Sequence, residues 1–502
     1  MAVNAKRIRC PLLLASILSI VGLTSCYRAG SPEADPPEPV SVVLNSLGLT
    51  FPKGLNENRN PYLDYIKERT NLDIRVMVPP SEGYEVKLNA LMASGNPPDM
   101  LSVFSDVWVA NYAKSGLLQP LNDWIDRYGS ALKAGIPKEA WDKVTLNGNI
   151  YAIPSINEIR GTELMYARKD WLDKLGLKPP QTLEQYYEVI RAFTRSGPAG
   201  SGKPETHGLT LIENLGRSSP FFGAFGVQLG QWLERDGKLV YADILPETKE
   251  ALTFLHRLYA EQLLDPEFPI NRNRNLEKKI ASGQVGLLSA TWYDTRGTIE
   301  LNRKNDPQAE WIPLDYPVGP AGHKGTYETS LIRQYQVVPA HSLRAGAVIR
   351  MLNFIAGEGN RELKLGFRNQ VWSERDGRIV TDFTEHDKHL YRGMYSSLVD
   401  LPSPALLKER LDSLGPRFQL YSNVQAVERN IIRDEFQGPP TPAMEKYKKK
   451  LSALRDVYVK MIVGVIPLDR FESYTDWWRR EGGDEITKEV NEWYQKQREV
   501  VR

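Results

Sequence analysis

Several stretches of this chain carry residue types that could do chemistry. The most informative is Gly286-Leu287-Leu288-Ser289-Ala290-Thr291-Trp292-Tyr293-Asp294, where a short apolar run ends on two aromatic rings and a carboxylate. Such rings offer flat faces to sugars, nucleobases or apolar ligands, and a carboxylate accepts hydrogen bonds from hydroxyls. The same rings could equally close a hydrophobic core. Trp108 with Asp106, and the lone amide Asn45, pose the same question. Gly197-Pro198-Ala199-Gly200-Ser201-Gly202-Lys203 has the spacing of a phosphate loop, but Pro204 stands where a hydroxyl should reach Mg²⁺, and no strand precedes it. Nucleotide binding is therefore set aside in favour of a plain turn. His386-Asp387-Lys388-His389 puts two imidazoles three residues apart, yet Lys388 and the flanking charges read as a solvated face, not a metal site. No Ser/His/Asp or Cys/His arrangement can be assembled from local motifs. A glycosidase-like carboxylate pair cannot be told from surface solvation in sequence.

These residues must be positioned by more than one core, because 502 residues exceed what a single hydrophobic core serves. A net charge of +2 gives no nucleic-acid footprint. The two cysteines are Cys10 and Cys26. Lys6, Arg7 and Arg9 precede an apolar run over 11–23, shorter than the ~20 residues of a spanning helix. Basic flank, short apolar core and small residues at its end describe a secretory signal. Leu23-Thr24-Ser25-Cys26 resembles a lipobox, the signal-peptidase II site of bacterial lipoproteins. The resemblance implies a leader over 1–25 and a lipid on Cys26 as the mature N-terminus. The proline- and charge-rich segment 26–39 then reads as a disordered tether. The mature chain would keep neither free thiol nor disulfide, and its cores alone would hold it together.

From Val40 the pattern alternates. Strands are expected over 40–44, 73–78 and 100–103, with helices over 61–70 and 84–94 between them. This is βαβ spacing and predicts a parallel sheet, with ligands beyond the C-terminal strand ends. Those ends are Asn45-Ser46, 79–82 and 104–108, which is why Asn45, Asp106 and Trp108 are candidates.

Longer motifs carry a family resemblance. Ala93-Ser94-Gly95-Asn96-Pro97-Pro98-Asp99-Met100, Ser115-Gly116-Leu117-Leu118-Gln119-Pro120-Leu121 and Asn147-Gly148-Asn149-Ile150-Tyr151-Ala152-Ile153-Pro154 are similar to segments of family 1 extracellular solute-binding proteins of ABC importers. Leu164-Met165-Tyr166-Ala167-Arg168-Lys169-Asp170-Trp171-Leu172-Asp173-Lys174-Leu175-Gly176-Leu177 resembles that family's longest signature, and 476–494 resembles the ending of its large Gram-positive lipoprotein subgroup.

The resemblance implies an α/β, two-lobed periplasmic-binding-protein-like (type II) fold with a hinge and an interlobe ligand cleft. It places lobe 1 at 40–157 plus 318–341 and lobe 2 at 158–317 plus 342–502, with the first crossing near 154–161. It implies a carbohydrate or oligosaccharide ligand held by Asn45, Asp106, Trp108, Trp292, Tyr293, Asp294, Arg368 and Trp372. A flat ring there would meet the C–H face of a pyranose. Asn369 and Gln370 depart from the family's Glu-Gly beside Arg368. Ala199 and Ser201 replace oxygen ligands of a calcium loop that relatives carry over 197–205, so neither metal nor cofactor is expected. The implied protein is no enzyme but a monomer on the extracellular face of the cell membrane, serving ABC permease subunits and binding no nucleic acid. Another small solute such as a peptide, a sensory role, or a lipid-anchored glycoside-processing enzyme are the alternatives. Cys26→Ala is expected to release the protein from membranes; unchanged retention and labelling with palmitate would refute the lipid anchor.

Overall fold

The computed structural model describes residues 36–196 and 206–501. The leader, Cys26 and the 197–205 loop lie outside the described residues, and Glu38–Arg502 forms one compact unit. Its chain opens with β1 (Glu38–Val43), α1 (Pro61–Thr70), β2 (Leu72–Met77), α2 (Tyr84–Met92) and β3 (Met100–Val103). Local chemistry sets these bounds. The Asn60 side chain accepts from the Leu63 N–H, Pro61 occupies the first turn, and Asn71 closes α1 in the left-handed region at φ 52°. β3 is buried along its whole length, as a central strand requires.

Two sheets result. The first adds β4 (Ile153–Ile156), and the second is built from β5 (Glu163–Arg168), β6 (His207–Thr210), β7 (Val285–Thr291) and β8 (Trp311–Leu314). β9 (Ile332–Val337) then returns to the first, whose order is β2-β1-β3-β9-β4. The expected parallel pairing holds for β1 with β2 and β3, whereas β9 runs antiparallel to both β3 and β4. β9 arrives from the second sheet and not by a βαβ crossover, so nothing imposes the parallel direction on it. The second sheet, β8-β5-β7-β6, is parallel only between β7 and β6.

Each sheet has its own core. Val42, Ile74, Leu101 and Leu352 belong to the first; Tyr186, Phe193, Leu255 and Leu287 belong to the second. The helix Ala345–Ala356 was expected on lobe 2 but packs in the first core, as do Tyr391 and residues 394–399. Its Gly346 lies against the Trp124 and Tyr128 rings, and Asn353 Oδ1 accepts from the Ala131 N–H at 2.7 Å. Only a short connection separates this helix from β9, so it covers the sheet it has just left. The chain leaves the first core between β4 and β5, returns between β8 and β9, and leaves again after Val399.

A buried carboxylate locks the second sheet beside β7. Asp265, 0 % exposed, accepts from Thr210 Oγ1 (2.8 Å), Asn271 Nδ2 (2.8 Å), Lys279 Nζ (2.6 Å) and the Glu267 N–H (3.0 Å). Burial alone would raise its pKa, but Lys279 and the other donors outweigh burial and hold it below the ordinary value. A depressed carboxylate pKa contributes stability that is present above the unfolded-state pKa and lost as pH falls through the folded one. Asp265→Ala is expected to cost about 3–5 kcal/mol in urea denaturation, because it removes the shared acceptor of Thr210 and Asn271 and leaves Lys279 with Glu267 alone. The variant should also lose part of the wild-type protein's acid sensitivity; an unchanged urea midpoint would contradict the assignment.

Candidate functional site

Trp292 and Tyr293 are aimed by their neighbour. Asp294 Oδ2 accepts from the Thr291 N–H (2.8 Å) and the Thr291 hydroxyl (2.7 Å), which turns the chain off the end of fully buried β7. The Trp292 N–H donates to the Thr162 carbonyl (3.0 Å), and its own carbonyl accepts from Asn423 Nδ2 (3.0 Å). The two rings meet edge to face, with centroids 5.2 Å apart and planes at 87°. Trp292 packs partly against two small hydrophobic clusters, while Tyr293 is 50 % exposed. Both rings line a cavity of about 680 Å³. Leu47 and Leu49, which follow β1, and residues 157–159 and 162 of the first crossing line it too. A volume of this order fits a small-molecule ligand.

The lining also concentrates charge. Lys364 Nζ lies 3.4 Å from Glu158 and 3.2 Å from Asp400. Arg410 pairs with Glu158 at 3.0 Å and Arg333 with Asp400 at 3.4 Å. Arg392 donates to the carbonyls of His389 (2.8 Å) and Lys364 (3.3 Å) and lies 3.2 Å from His386 Nδ1. Burial first, then the charges of Arg392, Arg296 and Arg410, push the His386 pKa down to about 3, so its imidazole is neutral. This corrects the solvated-face reading at His386 and His389, while Asp387 and Lys388 between them are exposed as expected. His386 lines the cavity, and His389 is buried with Nδ1 2.9 Å from the Tyr62 hydroxyl. Among the described residues no three His, Cys, Asp or Glu side chains are grouped to hold a metal ion.

The structure brings only Trp292 and Tyr293 of the sequence candidates into this cavity. Asp294 shapes the turn with its carboxylate. Asn45 lines an adjoining groove that shares Leu47, and its Oδ1 accepts from the Leu47 N–H at 2.8 Å. Asp106 is exposed in a separate pocket with Lys143, Arg160, Glu328 and Asp434. Trp108 packs in the first core, stacked on Tyr112 at 3.8 Å with Nε1 donating to Asn89. Trp372 is buried against Leu365 and Val371 and donates to the Gly366 carbonyl at 2.7 Å. Arg368 is on the surface, paired with Glu374 at 3.0 Å. Arg296, Lys364, Arg392 and Arg410 went unread, because no local motif marks them. Glu158 follows β4 at the crossing, and that position was the available signal.

A further pocket of about 350 Å³ joins the crossing from the second sheet's side, lined by Glu163, Ser219 and Tyr327. Burial raises the Glu163 pKa above the ordinary value, and Ser289 Oγ donates to it at 2.9 Å. Asn214, Leu215 and Arg217 beside it hold φ of 59°, 59° and 69°, a run of left-handed non-glycine residues that stores strain.

Comparison with known proteins fits this geometry. The family model described as bacterial extracellular solute-binding protein matches residues 46–362. Lipoprotein LipO of Bacillus subtilis (strain 168) is 24% identical over 464 residues, 87% of this chain and 89% of LipO. The polygalacturonan/rhamnogalacturonan-binding protein YtcQ of the same organism is 24% identical over 445 residues, 85% and 86% of the two chains. The S. pneumoniae substrate-binding protein FusA in complex with kestose superposes with a TM-score of 0.73 at 18% identity, covering 92% of this chain and 100% of FusA. The fold is thus the α/β, two-lobed one of periplasmic-binding-protein type. Because the family match spans more than half of the chain, this protein belongs to the bacterial extracellular solute-binding proteins, and its task is to bind a solute, not to transform one.

Proposed function

We propose that the solute is a carbohydrate or oligosaccharide, taken up in the cavity beneath Trp292 and Tyr293 and delivered to the permease subunits of an ABC transporter. The receptor acts as a monomer, held on the extracellular face of the cell membrane through lipid on Cys26. The observation that carries this reading is the edge-to-face pair at the end of β7, open to a cavity lined also by Leu49 and Leu363 of the first core and by Leu411, Leu414 and Leu420 of a smaller cluster. Rings of this kind stack on sugar C–H faces, while Glu158, Asn157 and Thr162 offer hydroxyl partners. The names of two similar proteins support it: YtcQ is a polygalacturonan/rhamnogalacturonan-binding protein and FusA a fructooligosaccharide ABC transporter substrate-binding protein.

Capture works by population shift. The segments 157–162 and 315–331 act as the hinge between lobe 1, built on the first sheet, and lobe 2, built on the second. Closure carries Asn45 and Asp106 toward the ligand, which touches both lobes only in the closed state and so favours it. A thermal-shift screen over mono- and oligosaccharides is expected to find a sugar that raises Tm by mass action. Tyr293→Ala and Trp292→Ala should each weaken that sugar by about 1–3 kcal/mol in calorimetric titration, on the scale of ring stacking. Tyr293 is the cleaner test, since half of its surface is exposed and its loss should leave Tm of the free protein unchanged. Unaltered titrations for both variants would remove the rings from the site.

A further inference from the structure

The cavity under Trp292 is lined by more positive than negative charge: Arg296, Arg333, Lys364, Arg392 and Arg410 against Glu158 and Asp400. Both carboxylates are already shared between cations. Lys364 and Arg410 take Glu158, and Lys364 and Arg333 take Asp400. Arg296 is answered at 2.7 Å by Asp387, whose side chain is 60 % exposed. Glu428 is not part of the lining; burial first and the nearby Glu158 second raise its pKa above the ordinary value.

Arg392 remains. It is 6 % exposed, and no carboxylate lies within ion-pair distance of it among the described residues. Carbonyls and the neutral His386 ring take part of its donor fork and none of its charge. Arg410 Nε is likewise buried without a hydrogen-bond partner. A guanidinium held out of water without a counter-ion is costly, and a protein that needed only packing here would be more stable with a neutral side chain. The depressed His386 pKa registers the same positive field.

We infer that the saccharide taken by this cavity is an acidic one, a uronate-containing oligosaccharide whose carboxylate meets Arg392 and Arg410 while a ring lies against Trp292 and Tyr293. This rests on the sugar reading above and narrows it. The planar guanidinium fork matches a carboxylate with two parallel hydrogen bonds, which a neutral hydroxymethyl group cannot reproduce.

The test is calorimetric titration of the full chain with the α-1,4-linked trimer of galacturonic acid and with the matching trimer of galactose, which differ only in carboxylate against hydroxymethyl. The acidic trimer is expected to bind about tenfold tighter or better. That gap should narrow between about 20 and about 300 mM salt. Arg392→Gln and Arg410→Gln, checked for unchanged circular dichroism, should each reduce the acid-to-neutral ratio about fivefold or more, the acidic trimer losing more affinity than the neutral one. Arg410→Gln keeps the test decisive if Arg392→Gln does not fold. Equal or tighter binding of the neutral trimer, or a ratio untouched in a folded variant, overturns the inference. Failure of the acidic trimer with a protein that a neutral oligosaccharide stabilises also overturns it and leaves the sugar reading standing. Stabilisation by no saccharide at all overturns both.

Discussion

The Lys364 ammonium ties two of the chain's crossings together. It is 4 % exposed and bonded to Glu158 on the outgoing crossing and to Asp400, where the chain makes its last departure from the first core. The backbone reinforces it, because the Ile156 N–H donates to the Asp400 carbonyl and the Asp400 N–H to Ser155 Oγ. Arg160 then ties the outgoing crossing to the returning one through Glu328 at 2.9 Å. Breaking one member of such a network strands the others in a low-dielectric wall, so these crossings behave as a single part. Each core is complete in itself, and the charged cavity lies at the crossings.

The rings and most of the cations of this cavity come from different kinds of element. The rings come from the end of a strand, where a buried β7 must release its chain to solvent and Asp294 turns it. Lys364, Arg392 and Arg410 come from short helices and turns over 360–412, whereas Arg296 follows the rings and Arg333 lies on β9. A strand end offers few positions and a fixed direction. Irregular segments offer many, which is how several guanidinium groups converge on one space.

Legibility in the sequence followed the same division. Alternation and caps gave β1 through β3 within a residue or two, since neighbouring residues decide strands and helix ends. Trp292 and Tyr293 were legible because a strand end announces where a ring can project. Trp108 and Trp372 carried the same signal, yet both went into cores: nothing in a linear pattern says which face of a helix or hairpin a ring will take. The helix Ala345–Ala356 was assigned to the wrong core for a related reason, as the sheet that a strand rejoins depends on the whole topology. Lys364, Arg392 and Arg410 were illegible because their convergence exists only after the crossings are built.

The neutral His386 has a consequence for where such a receptor can work. It is the one residue of the cavity lining whose ordinary pKa falls in the range that an exposed cell surface experiences, and its environment has moved that pKa down to about 3. The lining therefore contains no histidine switch. Protonation of His386 does not gate the binding of a solute here as the surroundings acidify through the ordinary histidine range.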